Sequence, residues 1–273
     1  MLARMLTRIM RARATRVGML VVLCAALVGC VVVAWRRIRE SLSTAPTTKP
    51  LMKEESFVIR KGMGADKGHA FSASFRGRPF PFTTSAKATF QVKFGPKFEW
   101  GCRGKIGGLF VGPGTASGGK YSTNGASLRL MWDGKRKKGK GSDGGAYAYV
   151  YVPKGSRRLQ PSPLNRAPKS KMGNDVFKGL FNGVLARDLG KAWHTVELGI
   201  KLNTFKGNKP NADGVLYLSI NGEGKTLNGI VWRLKPNLAI DRFEFRVFHG
   251  GGCDAERKST MTLRELRVAK WDP

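Results

Sequence analysis

The stretch GCRGKIGGLF, residues 101–110, sets Lys105 between glycines in a segment that otherwise reads as β-structure. Glycine inside a strand pattern marks a bulge or a close approach by another backbone or a ligand. A lysine in that setting is either a solvated edge charge or a functional cation. Two later segments bear on the choice. ASLRLMW (126–132) alternates with a period of two, so Leu128 and Leu130 point one way and Ser127, Arg129 and Met131 the other. AYAYVYV (146–152) places Tyr147, Tyr149 and Tyr151 on one face. With these segments side by side, one sheet face holds a lysine, a serine, an arginine and two or three phenols. Few apolar residues and no carboxylate are expected there.

Such a face suits an anionic sugar. Aromatic rings stack on pyranose faces, while arginine and lysine hold carboxylates, arginine often through two parallel hydrogen bonds. The reaction that fits is β-elimination on a polyuronate. The C5 proton becomes acidic once the neighbouring carboxylate is neutralised, and a nearby cation stabilises the enolate-like charge. A base then takes the proton and an acid protonates the departing C4 oxygen. Tyrosine and lysine fill both roles where neighbouring positive charge lowers their pKa values. This chemistry requires neither metal nor cofactor. His69, His194 and His249 are too few and scattered for a triad or a metal cluster, and no cysteine has zinc-ligand spacing. His249, beside a run of three glycines, is a candidate substrate contact set against a core or turn role.

The elements that must position these residues are β-strands. From Ser56 onward, short β-type runs alternate with Gly, Pro and Asn turns, at 88–94, 126–132, 146–152, 194–203, 214–221, 229–234, 243–249 and 262–271. No long amphipathic helix separates them, so the expected class is all-β, an antiparallel sandwich or jelly roll. Trp100, Trp132, Trp232 and Trp271 are expected in its core. Two basic loops, 132–146 and 152–175, interrupt the strands.

In that order, GCRGKIGGLF, ASLRLMW and YAYVYVP (147–153) resemble polysaccharide lyase family 14, the alginate and glucuronan lyases of chlorella viruses and marine molluscs. HTVELGIKLNTFKGNKPNADGVLYLSINGEGKTL (194–227) and FRVFHGGGCD (245–254) resemble the family's later segments. The resemblance covers roughly residues 56–273 and implies a β-jelly roll with substrate in a groove across one sheet. It puts Lys105 at the family's essential lysine, although Ile106 and Gly107 stand where Leu and Pro are usual. Ser127 and Arg129 match the family's S-x-R, and Tyr149 and Tyr151 its Y-x-Y-V-P; Tyr147 is an extra ring. The implied roles are Tyr149 or Tyr151 as base or acid, Lys105 as partner in proton transfer or charge stabilisation, Arg129 on the carboxylate, and Ser127 positioning substrate.

Charge and the N-terminus bound the partners. The 273-residue chain carries a formal charge of +31, of which the first forty residues hold +7. A field of that sign attracts polyanions, whether nucleic acid, acidic lipid or acidic polysaccharide. Val17 to Trp35 is nineteen residues without a charge, long enough to span a bilayer as a helix. Arginines precede and follow it, and the positive-inside bias sets the C-terminal domain across the membrane. A cleaved signal peptide and a lipoprotein box at LVGC (27–30) are rivals; the apolar run continues past Cys30, against the second. The expected order is a basic segment 1–16, an anchor 17–35, a linker 36–55 and a β domain 56–273. In an exported domain, Cys102 and Cys253 are compatible with one disulfide or with two buried thiols. The alternative to a lyase is a non-catalytic module tethering to an acidic cell wall. A nucleic-acid binder is a third reading, but no recognition motif is present and specific binding is not expected.

Overall fold

Strands with apolar residues at every second position have one face to bury, and here two sheets bury those faces against each other. The computed structural model describes residues 50–64, 69–74, 84–135, 143–166 and 172–273, with backbone alone for 69–74. The expected basic segment 1–16, the anchor 17–35 and linker residues 36–49 lie outside the described residues, as do parts of both basic loops. Among the described residues no helix is long and apolar enough to cross a membrane.

In chain order the strands are β1 (Met52–Ile59), β2 (His69–Ser74), β3 (Ser85–Phe94), β4 (Arg103–Val111), β5 (Ala126–Asp133), β6 (Gly145–Tyr151), β7 (Asn174–Phe181), β8 (His194–Lys201), β9 (Phe205–Lys206), β10 (Lys209–Pro210), β11 (Gly214–Ile220), β12 (Glu223–Ile230), β13 (Ile240–Gly250) and β14 (Ser259–Lys270). One sheet has the order β1-β14-β3-β8-β11-β12, the other β2-β13-β4-β5-β6-β7. Neighbours in both run antiparallel. The all-β antiparallel sandwich expected from strand spacing is the observed architecture.

The core lies between the sheets. Phe90 of β3 meets Phe243 and Phe245 of β13 edge to face, with centroids 5.8 and 5.0 Å apart. Phe94, Phe98, Trp100 and Trp132 form a second aromatic group at one end. The alternation in β5 and β6 divides as expected. Leu128, Leu130, Ala146, Ala148 and Val150 join the main core, while Met131, Tyr147, Tyr149 and Tyr151 form a separate cluster on the opposite face.

Two boundaries and one burial differ from the expectation. The polar run Lys53–Glu55 was expected in a linker, yet it belongs to β1 and pairs with β14; only Met52, Phe57 and Ile59 of that strand are buried, so its sequence resembles a tether. The strand expected at 229–234 instead runs from Glu223 to Ile230, because the edge strand β12 is mostly exposed and polar while the buried Val231 and Trp232 follow it. Lysine on such an edge discourages pairing with another chain. Trp271 is half-exposed on the outer surface, whereas Trp100, Trp132 and Trp232 are buried as expected.

Gly104 and Gly107 of β4 make room for core rings. A Cβ on Gly104 would lie 1.8 Å from the Trp132 ring, and one on Gly107 would lie 2.7 Å from the Phe245 ring. Between them the pairing register with β5 shifts, the bulge that a glycine in a strand signals. Overpacking a filled core costs about 1–3 kcal/mol. Gly104→Ala is therefore expected to lower unfolding stability by about that amount, read as a lower urea midpoint at unchanged slope.

Candidate active site

A cleft of about 720 Å³ opens on the face of the second sheet that looks away from the core. Its walls include Arg103 and Lys105 from β4, Met131 from β5, Tyr149 and Tyr151 from β6, Asn174 and Asp175 from β7, and Phe248 and Gly250 from β13, with Gly251 and Gly252 just beyond. Strand order explains the meeting. β4 is paired on one side with β13 and on the other with β5, and β5 carries β6. Lys105 is thus opposite Phe248 on one neighbour and Met131 on the other, while Arg129 is opposite Tyr149. A disulfide between Cys102 and Cys253 ties the start of β4 to the glycine turn after β13.

Lys105 is 5% exposed, with its Nζ 4.9 Å from the Phe248 centroid and 5.9 Å from that of Tyr149. Among the described residues no carboxylate forms an ion pair with it. Burial therefore disfavours the ammonium form, and Arg129 and Arg246 add repulsion that Glu244 only partly offsets. Together they pull the pKa down from 10.5 to about 6. At neutral pH the amine carries a lone pair.

Tyr149 is kept in its protonated form. Burial, the neighbouring Tyr151 and a hydrogen bond to it raise the Tyr149 pKa, against the Gly173 N–H and the Arg129 charge. Gly173 N–H donates to the Tyr149 oxygen at 2.9 Å, and Gly119 N–H to the Tyr151 oxygen at 2.9 Å. The two rings stand edge to face at 5.6 Å. Tyr121 tilts against Tyr151 at 4.8 Å, and its hydroxyl donates to the Met172 carbonyl.

The structure brings Lys105, Tyr149 and Tyr151 together at the cleft and moves the other four expected residues away from its wall. Arg129 is 2% exposed; its Nη2 donates to the Ala116 carbonyl at 2.9 Å and its Nη1 to the Ser117 hydroxyl at 2.6 Å. Both terminal nitrogens are thus held by the loop after β4, while among the described residues Nε has no hydrogen-bond partner. The guanidinium charge sits 5.7 and 5.0 Å from the Tyr149 and Tyr151 rings, and burial lowers its pKa to about 10, leaving it a cation at neutral pH. Ser127 also donates to the Ala116 carbonyl, at 2.8 Å, and is fully buried, so its hydroxyl holds the loop. Tyr147 shares the tyrosine face but is fully buried, between Arg103 and Lys178. His249 is on the core side. Residues alternate along β13, so a core-facing Val247 puts Phe248 in the cleft and His249 against Phe98 and Trp132.

The face also holds carboxylates, against expectation. Asp175 pairs with Arg103 at 3.4 Å and Lys178 with Asp133 at 3.2 Å, while Glu244 pairs with Arg242 at 2.8 Å. Sequence reasoning missed Arg103, Phe248 and Asp175. Arg103 was findable as the residue two before Lys105, and Phe248 by extending the Phe243–Phe245 alternation. Nothing in the sequence brought β7 to this edge. Among the described residues no group of three or more His, Cys, Asp or Glu side chains could hold a metal ion.

Known proteins resemble this chain in sequence and fold. A family model described as Polysaccharide lyase 14 matches residues 51–262. The chain is 29% identical over 241 residues to Exolysin of Paramecium bursaria Chlorella virus 1, covering 82% of this chain and 35% of that protein. The chain thus spans about a third of the length of this curated relative. The crystal structure of the alginate lyase vAL-1 from Chlorella virus superposes with a TM-score of 0.68 at 29% identity, over 83% of this chain and 88% of that one. The alginate lyase Aly36B shares the fold, with a TM-score of 0.56 at 20% identity over 79% of this chain and 80% of that one.

The Lys105 amine is expected to titrate near pH 6 in a folded chain, read by NMR of isotope-labelled lysine. Arg246→Gln removes a repelling cation and raises the midpoint; Glu244→Gln removes an attracting anion and lowers it.

Proposed function

The chain belongs to the polysaccharide lyase 14 family, and from that membership and the cleft's geometry we propose that it cleaves an acidic uronate polymer by β-elimination. The observation that carries the reading is a buried lysine amine without a carboxylate partner, set beside a buried phenol in one cleft. Lys105 is the base. Its lone pair takes the C5 proton, the C5–H electrons form the C4–C5 double bond, and the C4–O bond breaks. Tyr149, kept protonated by its raised pKa, gives its proton to the departing oxygen. Charge accumulating on the uronate carboxylate is met by the positive field of Lys105's neighbours. Arg103 lines the cleft, Arg246 lies exposed on β13, and Arg129 lies buried beneath the phenols. In a site largely closed to water these fixed charges act more strongly than in solution. Tyr151, whose oxygen accepts the Gly119 N–H, orients Tyr149 through ring contact and a hydrogen bond.

The vAL-1 relative is by name an alginate lyase, so alginate is the first polymer to test, with poly-glucuronate second. The same reading keeps residues 17–35 as a membrane tether with the β domain on the extracytoplasmic side. It is supported by the uncharged length of that stretch and by the arginines that precede it.

Incubation of the chain with either polymer is expected to raise ultraviolet absorbance from the new C4–C5 double bond. Lys105→Ala and Lys105→Arg are each expected to lower kcat by about 10²–10⁴-fold, the typical contribution of a positioned acid or base. The arginine variant fails because a guanidinium does not deprotonate. Tyr149→Phe is expected to lower kcat similarly. In the parent enzyme kcat/KM rises with pH through a midpoint of about 6 and then holds through neutrality, since Lys105 is the base form above that value. A folded parent that leaves both polymers uncut would favour a wall-binding module.

A further inference from the structure

A second cleft, of about 540 Å³, opens on the outer face of the other sheet. It is lined by Lys87 of β3, Lys201 of β8, Tyr217 of β11, Thr226 and Asn228 of β12, and Trp271 just after β14. These residues point away from the core. Ala86 and Ala88 flank Lys87 and are fully buried, as are Leu216 and Leu218 beside Tyr217. The cleft therefore lies on the opposite side of the sandwich from Lys105.

We infer that this outer cleft is a second, non-catalytic binding site for an acidic glycan chain. The inference takes its ligand class from the lyase reading above. Two half-buried rings form the floor, with Tyr217 and Trp271 centroids 5.6 Å apart and planes inclined by 34°. Each ring lies against the sheet where a glycine makes room. A Cβ on Gly199 would come 2.8 Å from the Trp271 ring, and one on Gly224 would come 2.6 Å from the Tyr217 hydroxyl oxygen. Aromatic cover of a cross-strand glycine explains where the rings sit. It does not explain what surrounds them. Lys201 is exposed and in no ion pair among the described residues, and Lys87 is bound to Glu197. Asn228 and Thr226 add an amide and a hydroxyl. Flat ring faces, a free cation and neutral hydrogen-bonding groups form the combination that fits a sugar ring carrying a carboxylate. A polymer held here raises the local concentration of its own distant segments around the catalytic cleft. The gain applies to long chains and vanishes for oligosaccharides too short to reach both faces.

The test uses the full chain carrying Lys105→Ala, so that polymer is not cut, and electrophoresis through gels containing alginate or poly-glucuronate. Adding Trp271→Ala or Lys201→Glu is expected to weaken binding about fivefold or more. Lys209→Glu, a charge reversal at an exposed lysine outside the cleft, leaves it unchanged. With Lys105 restored, Trp271→Ala raises KM for long polymer and leaves turnover of a uronate trisaccharide as it was. The inference is overturned by parent-like binding in both cleft variants, by equal weakening in Lys209→Glu, or by a parent that binds neither polymer. Should Trp271→Ala fail to fold, Lys201→Glu decides alone. Failure of the lyase reading looks different: the intact chain generates no ultraviolet absorbance, while binding still depends on Trp271 and Lys201.

Discussion

The arrangement depends on keeping one amine out of water without an opposing carboxylate. An ammonium in that position is costly, and the group answers by giving up its proton. Lys105 is held there by an interior strand. β4 is flanked by β13 and β5, and its inner face is locked by Ile106, Leu109 and Val111 in the core. The bulge after Lys105 and the aromatic rings seated on Gly104 and Gly107 fix where the strand can lie. That packing leaves only 5% of Lys105 exposed, at the wall of the cleft. The basicity that suits proton abstraction at neutral pH is thus a property of the sheet.

Arg129 adds to the bias on Lys105 by repulsion, from a position the sequence does not reveal. An arginine two residues from a serine on a polar strand face reads as a carboxylate clamp. In the fold the same two side chains converge on one carbonyl, that of Ala116, and pin the loop that follows. That loop presents Gly119 N–H to Tyr151. The motif thereby shapes the wall beside the cleft, and a change there acts on the phenols through the loop.

The faces of β5 and β6 were legible because both strands alternate without interruption. Leu128 and Leu130, like Ala146, Ala148 and Val150, all went to the core as the period of two required. Legibility failed where a strand was polar on both faces or broke its alternation. β1 and β12 bury few side chains, so nothing in their composition distinguishes them from linker. β7 carries Phe177 with φ 63°, and its register against β6 shifts; its sequence gives no clean alternation, and Asp175 therefore went unseen. For His249 the sequence leaves both a substrate contact and a core or turn role open; the alternation from Phe243 through Val247 continues to His249 and sends it inward.

The two faces of the sandwich also answer the charge question differently. On the catalytic side Arg129 is a buried cation, Arg103 is matched by Asp175 and Arg242 by Glu244, Arg246 is exposed, and Lys105 is a neutral amine. A polyanion entering there meets positive charge from Arg129 and Arg246 beside the neutral Lys105 amine, which favours the one carboxylate next to the bond to be broken. A broad positive surface would hold every uronate of the chain equally and so strengthen ground-state binding without selecting the reacting unit. Pairing the surrounding arginines with carboxylates confines the attraction to the place where charge develops. Acidic residues in a groove for an acidic polymer are thus part of how the groove discriminates among positions along the chain.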